Sequence, residues 1–366
     1  IRGGEKAIRK YLLRLRRPRI KKKENSYYIR GYKGTEVIIR TDHEILKRIA
    51  YRRTCVKHVC ISGKYETETK YIYTRKENRR SRQIIIPGVP ARRDTVMPRA
   101  VRTVLHALSY GGIEVDASRK LADIKKMDPM RIFYKTLDAE VYNGDYKVPI
   151  RLFFPTEEAM ENGAASGKKP PVILFFHGGG WVTESVENYQ RVCARMAQST
   201  GQIVASVEYR LAPEYRFPVG LMDCYAAAKA FYTNCFLLNT DSDRITIMGD
   251  SAGGNLAAAV CMMARDRGEF YPKKQILIYP ALNNCYTEKS PFESVKTNGT
   301  GYLLTAEKME DYLKLYESCP EDRNNPYFAP ILEKDLRNMP DTLILTAEFD
   351  PLRDEGEAFG ERLKAA

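Results

Sequence analysis

From about Arg99 onward, the chain alternates between strand-like and helix-like hydrophobic patterns. Short apolar runs rich in β-branched and aromatic residues predict strands at 133–142, 147–154, 172–176, 203–207, 244–248, 275–279 and 342–346. Apolar residues at helical spacing predict the intervening helices at 185–198, 221–235, 252–265 and 306–316. This alternation is typical of an α/β fold with a mostly parallel sheet and helices on both faces. Functional residues then gather at the C-terminal ends of the strands.

The first hundred residues differ sharply in charge from the rest. They hold 29 lysines and arginines against 9 acidic residues, a net charge of +20, whereas the remaining residues carry −6. This segment is predicted to be a small α+β module, followed by a linker at 75–93. Helices are indicated by apolar residues at helical spacing among basic residues at 8–15 and by a second helical stretch at 42–51. Strands are indicated by β-rich runs at 27–32, 36–40, 56–62 and 67–74. Clustered lysines and arginines favour a polyanion or an acidic surface as a partner. A solvated basic face, or a segment that packs on the rest of the protein, is the alternative.

Composition excludes several classes of protein. No apolar run approaches the roughly 18 residues of a membrane-spanning helix. The sequence, which begins with Ile1 and not Met, shows no secretory leader, and a clipped N-terminus is the alternative. Eight cysteines are too sparse for a disulfide scaffold in 366 residues, so we expect reduced thiols and a cytoplasmic protein. Cys55 and Cys60 bracket His58 without a second ligand pair, so we predict no metal site.

The strongest motif is Gly-Asp-Ser-Ala-Gly-Gly at 249–254, which lies between an apolar strand pattern and a small-residue helix. Glycine on both sides allows a sharp strand-to-helix turn that raises the Ser251 hydroxyl out of the sheet. The motif alone occurs by chance, and its strand and helix context gives it weight. Ser251 is therefore the predicted nucleophile.

The second motif is His177-Gly178-Gly179-Gly180-Trp181, directly after the strand predicted at 172–176. Consecutive glycines allow backbone N–H groups to converge on a developing oxyanion, and the Ala252 N–H at the start of a helix supplies another donor. A merely flexible loop is the weaker alternative at this position. His177 precedes the serine in the chain, the wrong order for the base of this architecture, so we interpret it as a loop-positioning residue.

The third motif supplies a carboxylate after the last predicted strand, at Asp350 in Glu-Phe-Asp-Pro-Leu-Arg-Asp-Glu. A strand end downstream of the serine is where an acid that orients a histidine belongs. Asp354 is the competing candidate, and we expect it instead to begin the next helix.

Together with Tyr-Arg-Leu-Ala-Pro-Glu at 209–214, Phe217-Pro218 and Asp223-Cys224, these motifs resemble the hormone-sensitive lipase family of α/β-hydrolases, which includes bacterial esterases and arylacetamide deacetylases. The resemblance implies an α/β-hydrolase fold, with Ser251 as nucleophile, Asp350 as triad acid, and Gly178, Gly179, Gly180 and Ala252 as oxyanion hole. It also implies a cap formed by the helices of about 99–130. We therefore divide the chain into a basic module and linker at 1–95, a helical cap at 96–132 and a catalytic domain at 133–366.

The predicted reaction is hydrolysis of short to medium acyl esters through an acyl-enzyme, with a small-molecule ester as substrate and no metal or cofactor. All four histidines precede Ser251, whereas this architecture places its base after the acid. We expect the chain to be truncated, lacking its final strand and helix, and therefore to turn over esters poorly, expose a sheet edge and associate, with a homodimer as one form. The alternatives are a non-catalytic ligand-binding protein on the same fold and a polyanion-binding protein.

Overall fold

The computed structural model describes residues 134–161, 169–233 and 240–366, together with Val115, Asp116, Arg119 and six short strands before residue 82. The chain divides into two compact units, one formed by residues 1–70 and 85–98, the other by residues 71–84 and 99–366. The predicted helices at 8–15 and 42–51, the strand at 56–62 and almost all of the predicted cap lie outside the described residues.

In the first unit, three strands form an antiparallel sheet in chain order, β1 (Arg19–Lys23), β2 (Ser26–Arg30) and β3 (Glu36–Arg40). Strand β3 has the predicted bounds, β2 overlaps the predicted run at 27–32, and β1 was not predicted. A lysine-rich β1 has no alternating apolar residues, so its sequence carries no strand signal.

The second unit contains a sheet of eight strands in the order β4-β13-β12-β11-β9-β10-β8-β7. Its strands are β4 (Tyr71–Tyr73), β7 (Thr136–Asn143), β8 (Tyr146–Phe153), β9 (Val172–Phe176), β10 (Ile203–Val207), β11 (Ile245–Asp250), β12 (Lys274–Ile278) and β13 (Asp341–Leu345). The two-residue strands β5 (Lys76–Glu77) and β6 (Arg80–Ser81) pair separately. Strands β10, β9, β11, β12 and β13 are parallel, and β4, β8 and β7 are antiparallel to their neighbours.

Seven helices accompany this sheet in the described part of the chain. They are α1 (Glu157–Glu161), α2 (Val186–Thr200), α3 (Val219–Thr233), α4 (Ala252–Arg267), α5 (Glu293–Thr297), α6 (Ala306–Tyr316) and α7 (Arg353–Ala365). Helix α2 begins where Ser185 accepts a hydrogen bond from the Asn188 N–H, and ends at Gly201 in the left-handed conformation. The five-residue helices α1 and α5 were not predicted, because they are too short to show a helical period.

The central strands have the burial that their apolar sequences predict. Every residue of β9 and β10 is buried, as expected where helices cover both faces of a parallel sheet. Helix α4 is also buried along 13 of its residues, and its alanines and glycines allow it to lie close against the sheet. The sheet therefore presents β9, β11, β12 and β13 as adjacent strands with their C-terminal ends at one edge.

Two expectations differ from the structure at the β13 end of the sheet. We expected an exposed edge there, but Tyr71–Tyr73 pairs antiparallel with Leu343–Leu345. Strand β4 therefore covers three residues of β13 that would otherwise form the edge of the sheet. Tyr71–Tyr73 also belong to the second unit, whereas the sequence predicts them in the N-terminal module.

Candidate active site

Ser251 occupies the turn between β11 and α4, with a φ of 52° and a ψ of −118°. Residues with a Cβ rarely adopt this conformation, which costs on the order of 1–3 kcal/mol. Hydrogen bonds hold the turn: the Ser251 N–H donates to the Ile278 carbonyl at 2.9 Å, and the Ser251 carbonyl accepts from the Asn255 N–H at 3.1 Å. The serine hydroxyl does not cap the helix that it precedes. Its Oγ therefore takes no part in starting helix α4.

The glycines beside Ser251 are required by close backbone packing. A Cβ at Gly249 would lie 2.1 Å from the Gly253 carbonyl oxygen. A Cβ at Gly253 would lie 2.0 Å from the carbonyl oxygen of Phe176, the last residue of β9. The turn thus brings the start of α4 directly against the end of the neighbouring strand.

The glycine loop after β9 adopts conformations that only glycine tolerates well. Gly179 has a φ of 109° and Gly180 a φ of 61°. A Cβ at Gly179 would lie 2.3 Å from the Thr183 carbonyl oxygen, and one at Gly180 would lie 2.4 Å from the ring of Tyr312. Among the described residues, the N–H groups of Gly179 and Gly180 donate no recorded hydrogen bond, and neither does that of Ala252. These three N–H groups fit an oxyanion hole.

Gly178 does not fit the role that we predicted for it. Its N–H donates to Oδ1 of Asp250 at 3.0 Å, so this donor is already used inside the protein. Oδ2 of the same carboxylate accepts a hydrogen bond from the Tyr189 hydroxyl at 2.8 Å. The sequence shows three glycine N–H groups, but it does not show that the first of them donates to Asp250, the residue before Ser251.

His177 is the one histidine among the described residues, and it is fully buried. Its Nδ1–H donates to the Gly178 carbonyl at 2.8 Å, and its ring stacks on Tyr209 at a centroid distance of 4.4 Å. The Tyr209 hydroxyl in turn donates to the His177 carbonyl at 2.8 Å. Burial lowers the pKa of His177 to about 4, so the ring is neutral at pH 7. These contacts tie His177 to the glycine loop, and its loop-positioning role stays a prediction.

Asp350 lies five residues beyond β13, half-buried at the sheet edge that carries the serine turn and the glycine loop. Its Oδ1 accepts a hydrogen bond from the Leu352 N–H at 2.9 Å, and the Asn298 amide donates to its carbonyl at 3.2 Å. Burial raises the pKa of Asp350 to about 6, against the lowering effects of that hydrogen bond and of Arg353. The carboxylate is thus held in place while one oxygen keeps capacity for a further donor.

Asp354, the competing acid, has the structural role that we expected. It lies in the first turn of α7, and its Oδ2 accepts a hydrogen bond from the Ser294 N–H at 2.7 Å. Its Oδ1 pairs with Arg353 at 2.8 Å. Both oxygens are therefore occupied, Oδ2 in joining α7 to α5 and Oδ1 in a pair within α7.

Three polar residues near these motifs were not predicted from the sequence: Asp250, Tyr189 and Glu355. Asp250 stood inside the serine motif, and a carboxylate next to a nucleophile was a usable signal. Glu355 is fully buried, and its Oε1 accepts from the Leu282 N–H at 2.7 Å and from the Tyr286 hydroxyl at 2.7 Å. Tyr189 gave no signal, because its partner lies 61 residues away in the chain.

The block at 209–223 is held together by an internal ion pair. Arg210 forms two side-chain hydrogen bonds of 2.8 Å with Asp223, which is fully buried, and its backbone N–H donates to the same carboxylate at 3.0 Å. This paired charge fixes the chain between β10 and α3, next to the tyrosine that supports His177.

Within the described residues, no cluster of His, Cys, Asp or Glu could hold a metal ion. In that same part of the chain, no helix is long and apolar enough to cross a membrane.

Comparison with known proteins places these features in one group. Residues 173–366 match a family model described as an alpha/beta hydrolase fold. An arylesterase of Saccharolobus solfataricus is 36% identical over 230 residues, covering 63% of this chain and 71% of the relative. An ethyl acetate hydrolase of Pseudomonas putida is 34% identical over 223 residues, covering 60% and 67%. A hyperthermophilic esterase from the archaeon Pyrobaculum calidifontis is similar in structure, with a TM-score of 0.63 and 37% identity over 74% of this chain and 85% of that one.

Proposed function

Because the chain belongs to the α/β-hydrolase fold family and is a carboxylic ester hydrolase, we propose that Ser251 is its nucleophile. The observation that carries this proposal is the backbone of Ser251, which is held in a strained turn at a strand end while its hydroxyl is not used as a helix cap. A serine with a purely structural role would have no reason to hold this conformation.

The reaction proceeds in two steps. Ser251 Oγ attacks the ester carbonyl carbon, and the N–H groups of Gly179, Gly180 and Ala252 stabilise the negative charge on the carbonyl oxygen. The tetrahedral adduct expels the alcohol and leaves an acyl group on Ser251, which water then removes as the free acid. Asp350 is the acid that orients the base.

The proton of Ser251 needs an acceptor, and the sequence has no histidine after Ser251. His177 does not serve, because its ring is fully buried against Tyr209 and its Nε2 has no hydrogen-bond partner in the described part of the chain, Ser251 Oγ included. Imidazole added to the solution supplies the missing function and makes the chemistry of the remaining groups measurable.

The test is acylation of the full chain by 4-nitrophenyl butyrate with increasing imidazole, followed by mass spectrometry of the protein. We expect a butyryl adduct on Ser251 whose rate of formation rises with imidazole, and no such adduct in Ser251→Ala. Ser206→Ala is the control, because Ser206 is buried on β10 away from the turn. Equal 4-nitrophenol release and labelling in Ser251→Ala would refute the assignment.

We propose short to medium acyl chains as substrates, with residues 96–132 as the cap over the pocket. One described residue of that segment supports the cap: Arg119 donates to the carbonyls of Val182 and Ala212, each at 3.0 Å, and pairs with Glu214 at 2.7 Å. Val182 lies two residues after Gly180, so the Arg119 side chain lies beside the glycine loop. Acylation rates across 4-nitrophenyl esters of increasing acyl length test the proposal, and a steady rise toward long chains would contradict it.

We also propose that the basic residues before β4, residues 1–70, form a separable module that binds polyanions, supported by the net charge of +20 in the first hundred residues. A cytoplasmic location is proposed from the five free cysteines among the described residues. A homodimer is proposed as the assembly, and sedimentation equilibrium measures its mass.

A further inference from the structure

The carboxylate of Asp250 joins the two parts of the candidate active site. Asp250 is the last residue of β11, and Gly178 follows β9, the strand that pairs with β11 in parallel register. The Gly178 N–H donates to Asp250 Oδ1 at 3.0 Å, so the carboxylate spans from one strand end to the next. Ser251 is bonded to Asp250 at one end of this hydrogen bond, and the glycine loop begins with Gly178 at the other end.

Tyr189 fixes the orientation of that carboxylate. Its hydroxyl donates to Asp250 Oδ2 at 2.8 Å, and its ring packs beside His177 and Phe175, with centroid distances of 5.6 and 5.8 Å. Asp250 is 7% exposed, so water competes little for either oxygen. Hydrogen bonds to a buried carboxylate are roughly twice as strong as neutral ones, and both oxygens of Asp250 have such a bond.

Gly178 is a glycine for a reason connected with this pair. A Cβ at position 178 would lie 2.8 Å from Asp250 Oδ2 and 3.1 Å from the Tyr189 hydroxyl. The first glycine of the loop therefore makes room for the carboxylate and the phenol, whereas the following two glycines provide the positive φ angles and unused N–H groups.

We propose that Asp250, oriented by Tyr189, is a positioning residue for the oxyanion hole: it holds the glycine loop at a fixed place relative to Ser251. This inference rests on the proposed roles of Ser251 and the glycine loop. The hole stabilises charge only if its N–H groups point at the place where the oxyanion develops, and a small misplacement removes much of the rate. Asp250 acts through the Gly178 backbone and does not touch the substrate.

The experiment compares two esters that differ in one atom, 4-nitrophenyl butyrate and its thiono analogue, in which sulfur replaces the carbonyl oxygen. An oxyanion hole built for oxygen favours the oxo ester, so the ratio of the two acylation rates reports the alignment of the hole. Loss of folded protein lowers both rates equally and leaves the ratio unchanged. Rates are measured on the full chain with imidazole present.

We expect Asp250→Ala to lower the oxo-to-thiono ratio by about tenfold, because the Gly178 N–H loses its acceptor and the loop is released. The ratio for Asp250→Asn should lie between those of wild type and Asp250→Ala, because the amide oxygen can still accept a hydrogen bond from the Gly178 N–H. Tyr189→Phe should lower the ratio by a smaller factor than Asp250→Ala.

Tyr232→Phe is the matched control, because its hydroxyl also donates to one buried acceptor, the Ile245 carbonyl, at the opposite end of β11. Its ratio should equal that of wild type. An unchanged ratio in Asp250→Ala would overturn the proposal, and if that variant does not fold, an unchanged ratio in both Asp250→Asn and Tyr189→Phe overturns it. Adduct formation in Ser251→Ala would instead show that the proposed function itself is wrong.

Discussion

At the scale of single residues, Ser251 combines the proposed nucleophilic hydroxyl with an unfavourable backbone conformation. Glycine has no Cβ and adopts this φ and ψ freely, so we expect Ser251→Gly to raise the free energy of unfolding by about 1 kcal/mol while abolishing acylation. Urea denaturation measures the gain. Ser251→Ala is the control, because it removes the hydroxyl but keeps the Cβ and should show no comparable gain. A less stable glycine variant would contradict the expectation.

Asp350 gives a second prediction at this scale. If its carboxylate orients the base, imidazole that enters the site should be held by the same group. Asp350→Asn should therefore lower the imidazole-dependent acylation rate by about tenfold or more and leave the imidazole-independent rate unchanged. Asp341→Asn, at the opposite end of β13, is the control. An equal loss in both rates would show that Asp350 matters only for folding.

At the scale of elements, helix α7 is held by Glu355, whose buried carboxyl accepts hydrogen bonds from the segment that follows β12. Burial raises the pKa of Glu355 from 4.5 to about 8. The folded state thus keeps this proton at a pH where the unfolded state has lost it. Stability contributed by the protonated group is present below about pH 4.5 and is lost as the pH rises toward about 8.

Glu355→Gln should therefore flatten the pH dependence of stability over this range. The wild-type free energy of unfolding should fall more steeply than that of the variant, by a difference on the order of a few kcal/mol across the window. Urea midpoints at a series of pH values measure it. Glu293→Gln, at an exposed position on α5, should follow the wild-type curve. Parallel curves for wild type and Glu355→Gln would show that Glu355 does not titrate in this window.

Sequence patterns located these elements well where one physical signal dominated. Strands β9 and β10 have the predicted bounds because all five residues of each are buried, and all but Ser206 are apolar. Strand β11 continues through Gly249 and Asp250, which look like turn residues in the sequence. The α/β-hydrolase fold and the family resemblance are confirmed, since the motifs that carry them are local in sequence.

The internal hydrogen bonding of the site was beyond the sequence. Gly178 was predicted as an oxyanion donor, and nothing in a run of three glycines indicates that the first N–H is already bonded. The Asp250 contacts with Gly178 and Tyr189 join residues 72 and 61 positions apart, and such pairs arise from the sheet order. Local patterns report which groups are present, whereas tertiary structure decides which of them remain unpaired.

At the scale of the whole molecule, the chain has a basic first hundred residues and a mildly acidic remainder. If the basic segment binds polyanions, retention of the full chain on heparin should fall steeply as salt increases, because each phosphate or sulfate contact releases counterions. Deletion of residues 1–70, which leaves β4 in the sheet, should lower this retention strongly. Equal retention with and without the segment would contradict the proposal.

The strained turn at Ser251 also bears on how such a chain changes over evolutionary time. Mutation supplies glycine in place of serine by a single substitution, and the folded state gains from it. A lineage released from ester hydrolysis would therefore drift toward the more stable residue at this position. Folding alone does not favour the serine that this chain carries, and its presence agrees with the role that we propose for its hydroxyl.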